Sequence, residues 1–273
     1  MKIIHSVHPQ DFVRYTTGEI RERFLLDNLV QPGKIETVYT HYDRMIIGAA
    51  TPVGEALDLP TYDQLKSDFF LSRRELGVIC IAGEGSISVD GKDYAMAKLD
   101  CLYIGKGDKR VSFQGSAGVK YVFFSCPAHA EYPVQHMRAA DATPTTLGSL
   151  DNNNERTINK YIHAEGLKSC QLVLGVTNFQ RGSIWNTMPP HTHDRRMEAY
   201  FYFDLPENQR IVHFMGEPQE TRHLFLNNEQ GIVSPSWSIH SGVATASYSF
   251  IWAMAGENMA FTDMDAIQLN ELQ

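Results

Sequence analysis

The chain has 273 residues, 43% of them apolar and 21% charged, with 20 glycines and 12 prolines. That composition is ordinary for a folded globular protein and excludes collagenous, disulfide-dense and disordered classes. Thirty-two acidic against 24 basic side chains give a net charge of −8, which leaves no general positive field for a phosphate backbone, so nucleic acid is not expected as a partner. No run approaches the roughly 18 apolar residues of a membrane-spanning helix. The stretch MKIIHSVHPQDFVRY carries His, Asp and Arg where a secretion signal is apolar. A cytoplasmic protein without membrane partners is expected.

Taken in chain order, helical periodicity is confined mainly to Thr17–Leu26, where charged and apolar residues alternate at about the helical period. From about Thr37 onward the text becomes short β-branched and aromatic runs broken by Gly, Asp, Asn and Pro, which predicts an all-β sandwich or barrel. Asp90-Gly91 between two such runs predicts a two-residue hairpin, because a type I′ turn needs positive φ at both positions. Gly83-Glu84-Gly85 is a turn and not a nucleotide loop, since the glycine spacing and the following helix are missing. The four cysteines, Cys80, Cys101, Cys126 and Cys170, are far apart and mostly set in apolar text. They form no CxxC pair and are expected to be buried, reduced thiols. Between Pro127 and Asn154 the composition shifts to Ala, Pro, Thr, Asp and Asn, a candidate linker, after which strand text resumes.

The halves form a distant internal repeat. Ser72-Arg73-Arg74-Glu75 before one strand series matches Asp194-Arg195-Arg196-Met197-Glu198 before the other with a one-residue offset, and a tight turn follows each, at Gly105 and Pro235. The simplest account is two β-barrels in tandem with a few short helices, divided as 1–140 and 141–273.

Histidines concentrate in the second half as His191-Thr192-His193, followed by Glu198 and later by His240. Residues i and i+2 of a strand share a face, so His191 and His193 present two imidazoles to one ion. Glu198 lies an odd interval beyond His193, so a bend near Asp194-Arg195 must intervene. His240 follows the turn at Pro235 and can complete the site. Three imidazoles and a carboxylate suit Zn, Mn, Fe, Co or Ni.

This pattern resembles the paired motifs of the cupin superfamily, an HxH and Glu segment followed by a Gly…Pro…His segment. The strings RRELGV (73–78), RTINKY (156–161), WNTMPPHTHDRRMEAYFYF (185–203), GEPQETRH (216–223) and SPSWSIHSG (234–242) further resemble the 5-keto-4-deoxyuronate isomerase family over nearly the whole chain. The resemblance implies tandem cupin barrels and His191, His193, Glu198 and His240 as ligands of one Zn2+ per subunit. It also implies a homohexamer acting in pectin breakdown, with a small keto-deoxyuronate isomerised from aldose to ketose as 3-deoxy-D-glycero-2,5-hexodiulosonate. The first half lacks such ligands. Five residues past Gly105 stands Arg110, where five past Pro235 stands His240, so the first barrel is expected to be a metal-free structural or assembly module.

Isomerisation of an open-chain sugar needs a proton or hydride moved beside a carbonyl, which a divalent cation assists as Lewis acid and template, together with an acid/base. Tyr200 and Tyr202 share the parity of Glu198 and are candidates for that role, with His213 and His223 on neighbouring strand text. Arg196, Arg222 and Lys160 are candidates for the uronate carboxylate. Arg195-Arg196 can instead make interface salt bridges, and Thr187–Pro190 is expected to be an extended approach to the ligand strand. Two other functions fit the ligand set: an iron-dependent cupin dioxygenase, and a non-catalytic sugar-binding or assembly cupin.

Overall fold

The helix expected over Thr17–Leu26 forms as Thr17–Phe24 in the computed structural model, which describes residues 1–273. Its start is set by a capping box: Thr16 Oγ1 accepts from the Glu19 N–H at 3.4 Å, and Glu19 Oε2 accepts from the Thr16 N–H at 2.7 Å. Ile20 and Phe24, one turn apart, are its buried face. A single helical turn at Pro9–Phe12, capped by His8, has no periodic signal in the sequence.

Strands dominate the rest, so the all-β expectation holds. Gly85–Val89 pairs with Lys92–Met96 with Val89 opposite Lys92, and the connecting Asp90 and Gly91 have φ of 50° and 83°, the two-residue turn expected. The segment 127–154 is more structured than a linker. It contains the strands Gln135–Met137 and Thr145–Leu147, each paired at the end of a seven-stranded sheet, and one 3-10 turn. Their shortness and polar composition hid them from pattern reading.

The chain forms two compact units, neither a single stretch: Met1–Ile3 with Asn28–Thr143 and Lys160–Leu174, and Ile4–Asp27 with Pro144–Asn159 and Gly175–Gln273. The internal repeat appears in topology. One seven-stranded sheet runs Lys2–Ile4, Lys34–Thr40, Ile46–Thr51, Lys120–Pro127, Arg74–Ala82, Cys101–Ile104, Gln135–Met137. The other runs Thr145–Leu147, Arg156–Ile162, Val173–Phe179, Ser249–Gly256, Arg196–Phe203, Gly231–Ser234, Leu25–Leu26. Each repeat adds a four-stranded sheet, and the second also pairs His191–Thr192 with Asp265–Ala266.

Register explains why the first repeat carries no ligand cluster. Arg74 pairs with Pro127 and Leu76 with Ser125, just as Arg196 pairs with Gly256 and Glu198 with Met254. Each pair lies at the same step along its ladder, so Leu76, not Glu75, occupies the position of Glu198. Glu75 is one residue away and therefore points to the opposite face. There it accepts from the backbone N–H groups of Cys170, Gln171 and Leu172 at 2.6–2.8 Å and from the Tyr103 hydroxyl at 2.7 Å. The interior of the first unit is filled by apolar side chains, among them Leu76, Val78, Phe113 and Phe123, the last two stacked at 5.8 Å. Cys80, Cys101 and Cys126 are buried free thiols and Cys170 is a partly exposed one; burial pushes the Cys80 thiol up to about 12.

Candidate metal centre and cavity

His191 lies on the short strand His191–Thr192. A turn follows in which the Arg196 N–H donates to the His193 carbonyl at 3.2 Å, supplying the bend that the odd interval to Glu198 requires. Glu198 sits on Arg196–Phe203, and the Ser238 N–H donating to the Pro235 carbonyl at 3.0 Å turns the chain into Ile239–Ala244, which carries His240. These four residues, distant in sequence, place one donor atom each within 4.8 Å of one another.

Around the cluster, His191 Nε2 is 3.1 Å from His193 Nε2 and 3.0 Å from His240 Nε2. Glu198 Oε2 is 3.0 Å from His193 Nε2 and 2.8 Å from His240 Nε2. The opposite ring nitrogens define what these atoms carry. His193 Nδ1 faces the Asp263 carbonyl at 2.6 Å and His240 Nδ1 faces the Ser238 carbonyl at 3.4 Å. A carbonyl only accepts, so both Nδ1 atoms are the N–H donors, and in the neutral rings both Nε2 atoms present lone pairs. With both rings neutral, two imidazole lone pairs and the Glu198 carboxylate therefore point toward one another. Such a donor set fits a divalent cation, and carbonyl contacts that fix the outer ring nitrogens are what orient ligating histidines.

His193, Glu198 and His240 are buried. Burial alone raises the Glu198 carboxyl, but the His240 and His193 imidazoles overcome this and hold it well below the ordinary carboxylate range. Burial, followed by repulsion from His240, pushes His191 down to about 3, which keeps the ring neutral and its lone pair available.

The cluster opens on a cavity of about 390 Å³, the size of a small-molecule site. Tyr200 lines it, as its shared parity with Glu198 predicts, with its hydroxyl 2.9 Å from Thr187 Oγ1. Burial, then the charge of Glu198, push this phenol well above its ordinary value, so Oη keeps its proton at neutral pH. Tyr202 and His213 do not line the cavity. They form a buried pair behind it, Tyr202 Oη to His213 Nδ1 at 2.7 Å, because the strand carries Tyr202 deeper between the sheets.

Several candidates fall elsewhere. His223 is exposed on the outer hairpin strand Glu220–Leu226, edge-on to Phe225. Arg222 lies on the same hairpin and donates to the Val13 carbonyl. Lys160 is on the strand Arg156–Ile162 and does not line the cavity. Arg196 is buried and donates to the carbonyls of Ala260 and Asp263 at 2.7 and 2.9 Å, so it anchors the tail segment beside the site and does not face a ligand. Arg195 pairs within the chain with Asp263 and Asp265, at 2.7 and 2.9 Å. Thr187–Pro190 bends, with Thr187 at φ 49° and a cis Met188-Pro189 bond, and is not extended.

Arg156, first residue of the RTINKY string, was missed as a candidate. It is the cavity's only Lys or Arg, and its Nη1 donates to the Asn154 carbonyl at 2.9 Å. Its strand position alone gave no sign of the cavity, which is closed by Trp252, Phe261 and Met264 from much later in the chain.

Residues 27–269 match the family model described as KduI/IolB family. A relative from Shouchella clausii named 4-deoxy-L-threo-5-hexosulose-uronate ketol-isomerase is 52% identical, covering 100% of both chains. One of the same name from Caldicellulosiruptor bescii is 49% identical, again over 100% of both. Among solved structures, an IolB-like protein from Salmonella typhimurium LT2 superposes with a TM-score of 0.73 at 14% identity, covering 89% of this chain and 96% of that one. A Lactobacillus farciminis oxalate decarboxylase gives 0.59 at 10% identity, covering 89% and 86%. These distant likenesses speak for the cupin-type fold alone. The chain belongs to the KduI/IolB family and is an enzyme of the ketol-isomerase class.

Proposed function

We propose that the chain is a metal-dependent ketol-isomerase that converts 4-deoxy-L-threo-5-hexosulose uronate, the compound in its relatives' names, into 3-deoxy-D-glycero-2,5-hexodiulosonate. The observation that carries the metal dependence is the convergence of three imidazole nitrogens and the Glu198 carboxylate, with His193 and His240 held as Nε2 donors by carbonyls. His191, His193, Glu198 and His240 hold the ion, Zn2+ in this reading. When bound, such a cation polarises a carbonyl and the neighbouring hydroxyl and stabilises the negative charge that develops as hydrogen moves between C1 and C2.

The chain's own groups do the rest. Arg156, the cavity's one cationic side chain, receives the substrate carboxylate and fixes which end of the molecule approaches the cluster. Tyr200 Oη, protonated and 2.9 Å from Thr187 Oγ1, donates a hydrogen bond to a substrate oxygen. Trp252, Phe261 and Met264 form an apolar wall that keeps water from the reacting carbon. The first unit, with Leu76 at the register position of Glu198, serves as a metal-free module of a cytoplasmic homohexamer, as the family resemblance supports.

The test is to incubate the purified protein with the open-chain product of unsaturated uronate, follow conversion, and measure bound metal by elemental analysis. About one metal per chain is expected, with turnover abolished by chelation and restored by Zn2+. His193→Ala is expected to lose both metal and turnover while remaining folded. No conversion by metal-replete protein would end the isomerase reading.

A further inference from the structure

A second cavity, of about 440 Å³, opens in the first unit. Arg73, Arg74, Lys106 and His129 line it together with the rings of Tyr39 and Phe70, and no carboxylate lines it. In a chain of net charge −8, a cavity lined by Arg and Lys with no Asp or Glu, beside the rings of Tyr39 and Phe70, is a local reversal of the protein's field.

Arg74 is the most informative of these residues, being only 6% exposed. Its Nε donates to Ser125 Oγ at 3.1 Å, and one terminal nitrogen donates to the carbonyls of Ser125 and Arg44 at 2.7 and 2.5 Å. All three partners are neutral, so its charge is buried without a counterion, an arrangement that is costly unless an anion is present for part of the time. The second repeat shows the contrast. Arg196, at the same register position, is capped by the Ala260 and Asp263 carbonyls of the tail segment, whereas Arg74 borders open space. Arg73 donates to the Leu65 and Lys66 carbonyls and likewise takes no carboxylate partner there.

We infer that this cavity is a binding site, separate from the metal cluster, for a small organic oxyanion: a carboxylate or phosphate on a body the size of a sugar. The guanidinium of Arg74, the Lys106 ammonium and the His129 ring surround the anionic group, and Tyr39 and Phe70 supply the apolar wall for the body.

The experiment uses the full-length, metal-loaded protein carrying Arg156→Gln, which removes the cation of the other cavity. Calorimetric titrations at fixed ionic strength use gluconate as the carboxylate probe and glucose 6-phosphate as the phosphate probe. Saturable binding of at least one probe at one per chain is expected, and the probe that binds identifies the anionic group. Adding Lys106→Glu should weaken it by about tenfold or more, with a smaller loss for Lys106→Gln. In the chain with native Arg156, Lys106→Gln should leave isomerase turnover within about twofold, since Lys106 lies outside the catalytic cavity. Absence of saturable binding by both probes, or binding that Lys106→Glu and Lys106→Gln both leave intact, would overturn the assignment.

Discussion

The imidazole Nδ1 of His193 donates to the backbone carbonyl of Asp263 across 2.6 Å. One side chain of the cluster is therefore aimed by a residue seventy positions later. Asp263 is itself held by Arg195, whose guanidinium reaches both Asp263 and Asp265.

Arg195→Ala should therefore loosen the tail without removing any ligand. Loss of support behind a ligating histidine weakens metal binding by about 10- to 100-fold. Competition with a chromophoric chelator would measure it, and an unchanged affinity would show that the Asp263 carbonyl is held in place without Arg195.

Acid should act on the same contact. Hydrogen bonds from Arg195, then from Asn258, lower the Asp263 carboxyl to about 2. A folded-state value below the unfolded one, about 3.9, means that the stabilisation is complete above pH ~4 and is lost as pH falls through about 2. Hydrogen exchange of the 258–265 amides should accelerate across that window in the native sequence. In Asp263→Asn the acid-dependent step should be absent.

Arg156→Gln removes the only Lys or Arg lining the cavity beside the histidine cluster. If it binds the substrate carboxylate, the loss falls mainly on KM, by about 10- to 100-fold, the scale of a charge-assisted hydrogen bond of ~1.5–3 kcal/mol. Steady-state kinetics with metal content held constant would show it, and an unchanged KM would remove Arg156 from substrate binding.

Tyr200→Phe deletes a hydroxyl and keeps the ring. Metal content should be unchanged while kcat falls by about 100-fold, the usual loss when one hydrogen-bond donor to developing charge is removed. A kcat within twofold of the native value would assign Tyr200 to cavity lining only.

Gly175→Ala tests the packing of the cavity wall. A Cβ there would lie 2.0 Å from Trp252 Cζ2 and 2.4 Å from Cη2, so the indole must shift. Overpacking of this kind costs about 1–3 kcal/mol, measurable as a lower denaturation midpoint, with KM rising because Trp252 lines the cavity.

The all-β class, the Thr17–Phe24 helix, the Asp90-Gly91 turn and the four members of the cluster were legible in the sequence. Each rests on a local rule: strand alternation, capping, positive φ in a tight turn, or the shared face of residues two apart. The odd interval between His193 and Glu198 even demanded the bend that the chain makes. The facing of Glu75 was not legible, because its likeness to Glu198 is one residue out of step and only the pairing of strands fixes parity. Arg156 and Arg196 could not be sorted either. Both are arginines at the start of strands, and what separates them is whether the distant tail segment covers them or leaves them facing the cavity. Tertiary structure decided these roles because a charged side chain's function depends on its counterions and solvent, which are contributed by segments far away in the chain.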